Sequence, residues 1–112
     1  MPITKNRYSI IHDLIIAQVD YAATKHPESC NKFLKVTECV PHIENELAVA
    51  QAQSDAEAKE GYSVQATLNE EVWEAMEAYA KGEFDHAIEE LAQVAAVAIR
   101  GINFIMEYHT NA

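Results

Sequence analysis

The chain is poor in the residues that interrupt helices. Its 112 residues include only three glycines and three prolines. β-Branched residues rarely alternate with polar ones, so a sheet is not expected. Basic residues are scarce too: 8 Lys and Arg stand against 18 Asp and Glu, a formal net charge of −10. Such a chain repels nucleic-acid backbones, and no Lys/Arg cluster offsets the repulsion. No apolar run approaches the ~20 residues of a membrane span, so no membrane partner is expected. The two cysteines, Cys30 and Cys39, form no CxxC pair, although His26 and His42 lie nearby. With no signal peptide in the sequence, they read as free thiols in a reducing, cytoplasmic setting, not as a zinc site or a disulfide.

What is present favours helix. Hydrophobic residues make up 49% of the chain and aromatics 8%, a composition that folds. The length suits one domain, residues 1–112. A core this small gains from association with other chains.

Four helices are expected. Ser9 can cap the first, Ile10 to Lys25, with Ile11, Leu14, Ile15 and Val19 at helical spacing. His26-Pro27 ends it, because the residue before proline disfavours helical geometry. Residues 28–40 read as irregular. Pro41 suits the first turn of the second helix, whose Ala-, Glu- and Gln-rich body runs from Glu44 to Glu60. Ser63 can cap a third helix ending at Ala80, and Gly82 can close it in the left-handed region. The fourth runs from Phe84 to Tyr108.

The third and fourth helices carry the chemistry. On the third, Leu68, Val72, Ala75, Met76 and Tyr79 form an apolar stripe, with Glu71 and Glu74 to one side. Glu70 and Glu77 lie further round, towards solvent. On the fourth, Ile88, Leu91, Ala92, Ala95, Ile99, Ile102 and Met106 fill one apolar face. The opposite face, Glu90, Gln93, Val94, Val97 and Phe104, is hardly more polar. A helix apolar nearly all round packs on both sides, against another subunit or the first helix.

A buried Glu90 would need a partner, since an unpaired buried charge is costly. A cation shared with Glu71 and Glu74 would satisfy it; so would an ion pair with Lys81 or Arg100. The rise of about 1.5 Å per residue brings Glu74 and Glu90 to one height in an antiparallel hairpin turning at Lys81-Gly82. Two acidic faces meeting there make an oxygen-lined pocket for a hard divalent cation. A solvated acidic surface is the competing account.

The run GYSVQATLNEEVWEAMEA and the later ELAQVAAVAIR resemble the short branch of the MazG-like nucleoside triphosphate pyrophosphohydrolases. EEVWE and EELAQ stand where that family has EExxE and EELAD. The resemblance covers Gly61 to Ile105 and implies an all-α helical bundle that assembles as a homodimer or homotetramer. It implies Mg2+, with Mn2+ as the alternative, held by Glu71, Glu74, Glu90 and Gln93. Gln93 departs from the usual Asp and offers one neutral carbonyl oxygen. The reaction implied is hydrolysis of a (deoxy)nucleoside triphosphate to the monophosphate and pyrophosphate, in nucleotide-pool cleaning. Glu70 or Glu74 would be the carboxylate that orients or deprotonates the attacking water. Lys81 and Arg100 are the nearest cations for phosphate oxygens. Trp73 could stack on a base or pack at a subunit contact. Two other readings remain: a catalytically inactive binding or assembly module with the same fold, and a purely structural helical oligomer.

Overall fold

The computed structural model describes residues 3–109. It is all-helical, with no strand among the described residues: α1 spans Lys5–Lys25, α2 Val40–Ala56, α3 Val64–Ala80 and α4 Phe84–His109. No helix among the described residues is long and apolar enough to cross a membrane. The chain divides into two compact units. One contains α1, the segment after it up to Lys35, and the end of α4 from Ile99. The other, Val36–Ala98, contains α2, α3 and the first part of α4.

In the first unit, α1 begins at Lys5 and not at Ile10, and its cap is Thr4 instead of Ser9. The Thr4 hydroxyl accepts from the Arg7 backbone N–H at 3.2 Å, satisfying a donor that the helix leaves open. Arg7 gives a second reason for the earlier start. Its Nη1 donates to Asn103 Oδ1 at 3.2 Å and lies 3.6 Å from Glu107 Oε2, so this turn is tied to the end of α4. Ile11 is fully buried. The helix ends at Lys25, as the His26-Pro27 pair requires, with the His26 N–H donating to Ala22 O at 2.8 Å.

In the second unit, Ile43, Leu47, Ala50 and Ser54 form the buried face of α2, three and four residues apart. α2 and α3 pack on each other, and α3 contributes Ala66, Ala75 and Ala78 as its buried residues. Small side chains let two helices approach closely. α2 stops at Ala56, short of the expected Glu60. Glu57 explains the early stop. Its carboxylate accepts from the Ser63 N–H at 2.7 Å and from the Ser63 hydroxyl at 3.0 Å. Ser63 in turn accepts from the Ala66 N–H at 3.0 Å and caps α3.

At the other end of α3, Gly82 takes φ 77°, a left-handed conformation in which glycine carries little strain. The Gly82 N–H donates to Tyr79 O and the Glu83 N–H to Ala78 O, which closes the helix in a Schellman arrangement. α4 starts at Phe84, so the hairpin turn is short. Tyr79 and Phe84 pack ring on ring across it, with centroids 5.3 Å apart.

Cys30 and Cys39 are exposed and unpaired. Cys39 precedes α2 without capping it through its own side chain. Glu38 takes that role, its Oε1 accepting from the Cys39 N–H at 3.0 Å and from His42 Nδ1 at 2.7 Å.

Candidate metal centre

Glu71 and Glu74 stand one turn apart on α3, and Glu90 approaches them from α4. One carboxylate oxygen from each lies within 4.8 Å of the other two. Glu71 and Glu74 are half-buried; Glu90 is buried, at 8% exposure. All three belong to the second unit.

The orientation of α4 explains the burial of Glu90. Ala87 is buried and Val94 and Val97 are half-buried, on the same stripe as Glu90. That stripe faces inward. The first half of the face read above as the main apolar one turns out instead: Ile88 is 65% exposed and Leu91 42%, and Ala92 and Ala95 are exposed, whereas Ile99, Ile102 and Met106 further along it are half-buried. α4 is apolar on both sides, so hydrophobicity alone could not choose between them. The tight turn at Gly82 sets the rotation with which α4 meets α3. Phe104, placed by its pattern on the packed face, is exposed. α3 holds closer to expectation: Ala75 is buried and Leu68, Val72 and Met76 are half-buried, while Tyr79 is exposed.

Two oxygens in the cluster, Glu71 Oε2 and Glu90 Oε2, are buried and accept no hydrogen bond from a donor group of the described chain. Buried acceptors without donors are uncommon, and each asks for a proton or a cation. The titration of the cluster points the same way. Glu71 and Glu74 are both pushed up to about 7, first by burial and then by hydrogen bonding to Glu90 and repulsion from neighbouring carboxylates. Burial raises Glu90 as well. Hydrogen bonds from Glu71, Glu74 and His86 outweigh that and leave Glu90 below the ordinary carboxylate value. Near neutral pH the cluster therefore holds one firmly ionised carboxylate and two that trade protons. A divalent cation would replace those protons.

The remaining predicted residues divide. Glu70 is half-buried and close enough for its charge to raise Glu71 and Glu74. Glu77 pairs with Lys81, 3.5 Å apart, so Lys81 serves α3 and not Glu90. Gln93, one turn beyond Glu90, is exposed. Arg100 is exposed and belongs to the first unit. Trp73 is half-buried and meets the His42 ring of α2 edge-on, at 5.8 Å between centroids.

Two features escaped the sequence reading. His86 Nε2 lies 3.0 Å from Glu90 Oε1, and His86 Nδ1 lies 3.6 Å from Glu83 Oε2. The signal was available: His86 precedes Glu90 by one helical turn. Its hydrogen bond to Glu90 raises the imidazole above its usual value. The second is an open groove of about 780 Å³ where α2 gives way to α3, lined among others by Gln53, Glu57, Ser63, Asn69 and Val72. A groove made by two helices has no signature in either one. Compared with protein-family models, curated proteins and solved structures, the chain finds no match.

Proposed function

We propose that this protein is a Mg2+-dependent pyrophosphohydrolase of the MazG-like type. It would convert (deoxy)nucleoside triphosphates to the monophosphate and pyrophosphate. The observation that carries the reading is the meeting of Glu71, Glu74 and Glu90, from two helices, around buried oxygens that no donor satisfies. Hard divalent cations take oxygen ligands of this kind, Mg2+ first and Mn2+ second. Once bound, such a cation neutralises phosphate charge and lowers the pKa of a coordinated water.

The chain's own residues supply the rest. Glu71, Glu74 and Glu90 hold the cation, and Gln93 offers a neutral oxygen at the rim. Glu70, or a Glu74 oxygen left free, orients the attacking water and accepts its proton. Of the two cations read from the sequence, Lys81 lies in the same unit as the carboxylates and is assigned to the phosphate oxygens, while Arg100 belongs to the other unit. A buried carboxylate cluster attracts a triphosphate only when cation-loaded, so metal precedes substrate. A homodimer or homotetramer would cover the outward apolar face of α4, where Phe84, Ile88 and Leu91 are exposed. A cytoplasmic nucleotide pool would be the setting.

One observation favours a second reading, a catalytically inactive helical binding module. Glu90 already has His86 as a partner, and Gln93 brings no charge. A screen of common nucleoside triphosphates with Mg2+, reading pyrophosphate release, separates the two. Release from at least one nucleotide is expected. No release from any of them, with Mg2+ leaving the melting temperature unchanged, would favour the binding module.

A further inference from the structure

Glu90 divides its two oxygens between different surroundings. Oε1 meets the imidazole Nε2 of His86 at 3.0 Å. Oε2 is buried and accepts from no donor group of the described chain. The Glu90 side chain is nine-tenths buried, whereas that of His86 is 55% exposed. His86 itself stands outside the set of carboxylates whose oxygens lie within reach of one ion.

We propose that His86 is a positioning residue: its Nε2–H holds Oε1 of Glu90 and leaves Oε2 presented to the cation shared with Glu71 and Glu74. The inference deepens the reading of the acidic centre and rests on it.

The need for such a donor follows from the glutamate side chain. Its last torsion is broad, so an untethered carboxylate turns easily. Glu90 comes from α4 and faces two carboxylates of α3. Repulsion among the three favours turning away. A bond to Oε1 from the outer side opposes that turn and fixes where Oε2 points. The i, i+4 spacing keeps donor and acceptor together on one helix face, without backbone movement.

The bond does not depend on the charge of the ring. Nε2 carries a proton in the imidazolium and in one of the two neutral tautomers. On the ring's other side, Glu83 Oε2 lies 3.6 Å from Nδ1. That is too long for a hydrogen bond, so the shorter contact to Glu90 decides the neutral tautomer and places the proton on Nε2. A group that hydrogen-bonds a metal ligand from behind orients it, and losing one costs about 10- to 100-fold in metal affinity.

The test titrates Mg2+ calorimetrically into the full chain, as wild type and as three variants at His86. The His86 side chain is more than half exposed, so each variant should fold, which far-UV circular dichroism verifies. His86→Ala removes the donor and should weaken Mg2+ binding about tenfold or more. His86→Gln puts an amide N–H where Nε2–H stood and should restore the wild-type affinity. His86→Asn carries the same amide one methylene short of Glu90 and should match His86→Ala. Mg2+ affinity unchanged in His86→Ala, whatever its metal-free melting temperature, would mark a role in stability alone. That result, or equal weakening in His86→Ala and His86→Gln, overturns the proposal and leaves the carboxylate centre standing. Failure of the wild type to bind Mg2+ overturns both.

Discussion

Glu57 and Ser63 close the turn between α2 and α3: the carboxylate accepts from the Ser63 backbone N–H at 2.7 Å and from its hydroxyl at 3.0 Å. Ser63 is also the N-cap of α3, which carries Glu71 and Glu74. Ser63→Ala removes the cap and the hydroxyl's contacts with both oxygens of Glu57, leaving only the backbone bond. A loss of about 1 kcal/mol is expected, read as a lower urea midpoint at an unchanged slope. A change below a few tenths of a kcal/mol would show that the cap contributes little.

The protons held by Glu71 and Glu74 make stability depend on pH. Both sit at about 7 in the folded chain against an ordinary 4.5. Between those values the folded state binds more protons than the unfolded state. Stability without metal should therefore fall as pH rises from about 4.5 towards 7. Mg2+ should act in the opposite sense. It competes with those protons, so the rise in melting temperature it causes should be small at pH 5 and large at pH 8. Melts across that range with and without Mg2+ measure both trends. A Mg2+ effect independent of pH would separate the cation from this cluster.

Glu71→Gln distinguishes proton from cation directly. The amide can donate to Glu90 at every pH, as protonated Glu71 does only below about pH 7. Metal-free stability at pH 8 should rise by about 1.5 kcal/mol or more, the worth of one hydrogen bond to a charged group. The stabilisation by Mg2+ should fall sharply. Calorimetric melts at pH 8 test the pair of effects, and a variant that kept the full Mg2+ response would remove Glu71 from the ligand set.

Gln93 and Glu74 should respond in opposite directions. Gln93→Asp restores a charge at the rim and should tighten Mg2+ while keeping or raising pyrophosphate release, because a carboxylate is the better ligand for a hard cation. Glu74→Gln should abolish most turnover. Isothermal titration and a pyrophosphate assay on both variants decide. Equal Mg2+ affinity in wild type and Gln93→Asp would place Gln93 outside the site.

The outward face of α4 predicts association. Ile88, 65% exposed, and Leu91, 42% exposed, are large apolar groups on one face. Leu91→Glu should shift the sedimentation of the protein from oligomer to monomer, since a charge buried at the contact would be unpaired. A wild type that is monodisperse and monomeric at micromolar concentration would refute the contact.

The sequence by itself determined the four helices and most of their ends. Few glycines and prolines, helical spacing of apolar residues, Ser63 as a cap, Pro27 as a stop and Gly82 as a turn all act within a few residues of themselves, so local chemistry suffices to read them. The acidic residues of α3 and α4 were legible for the same reason, and the short turn at Gly82 placed them at one height. Only the tertiary structure decided which way the helices face. α4 is apolar nearly all round, and its rotation at Gly82 buries Ala87 and Glu90 while exposing Ile88 and Leu91. The start of α1 was missed because Arg7 is held by Asn103, a residue distant in the chain. The end of α2 was missed because Glu57 turns to Ser63. The perturbed titration of the cluster belongs to tertiary structure as well. It arises from burial and from carboxylates on different helices, and neither exists until α3 and α4 pack.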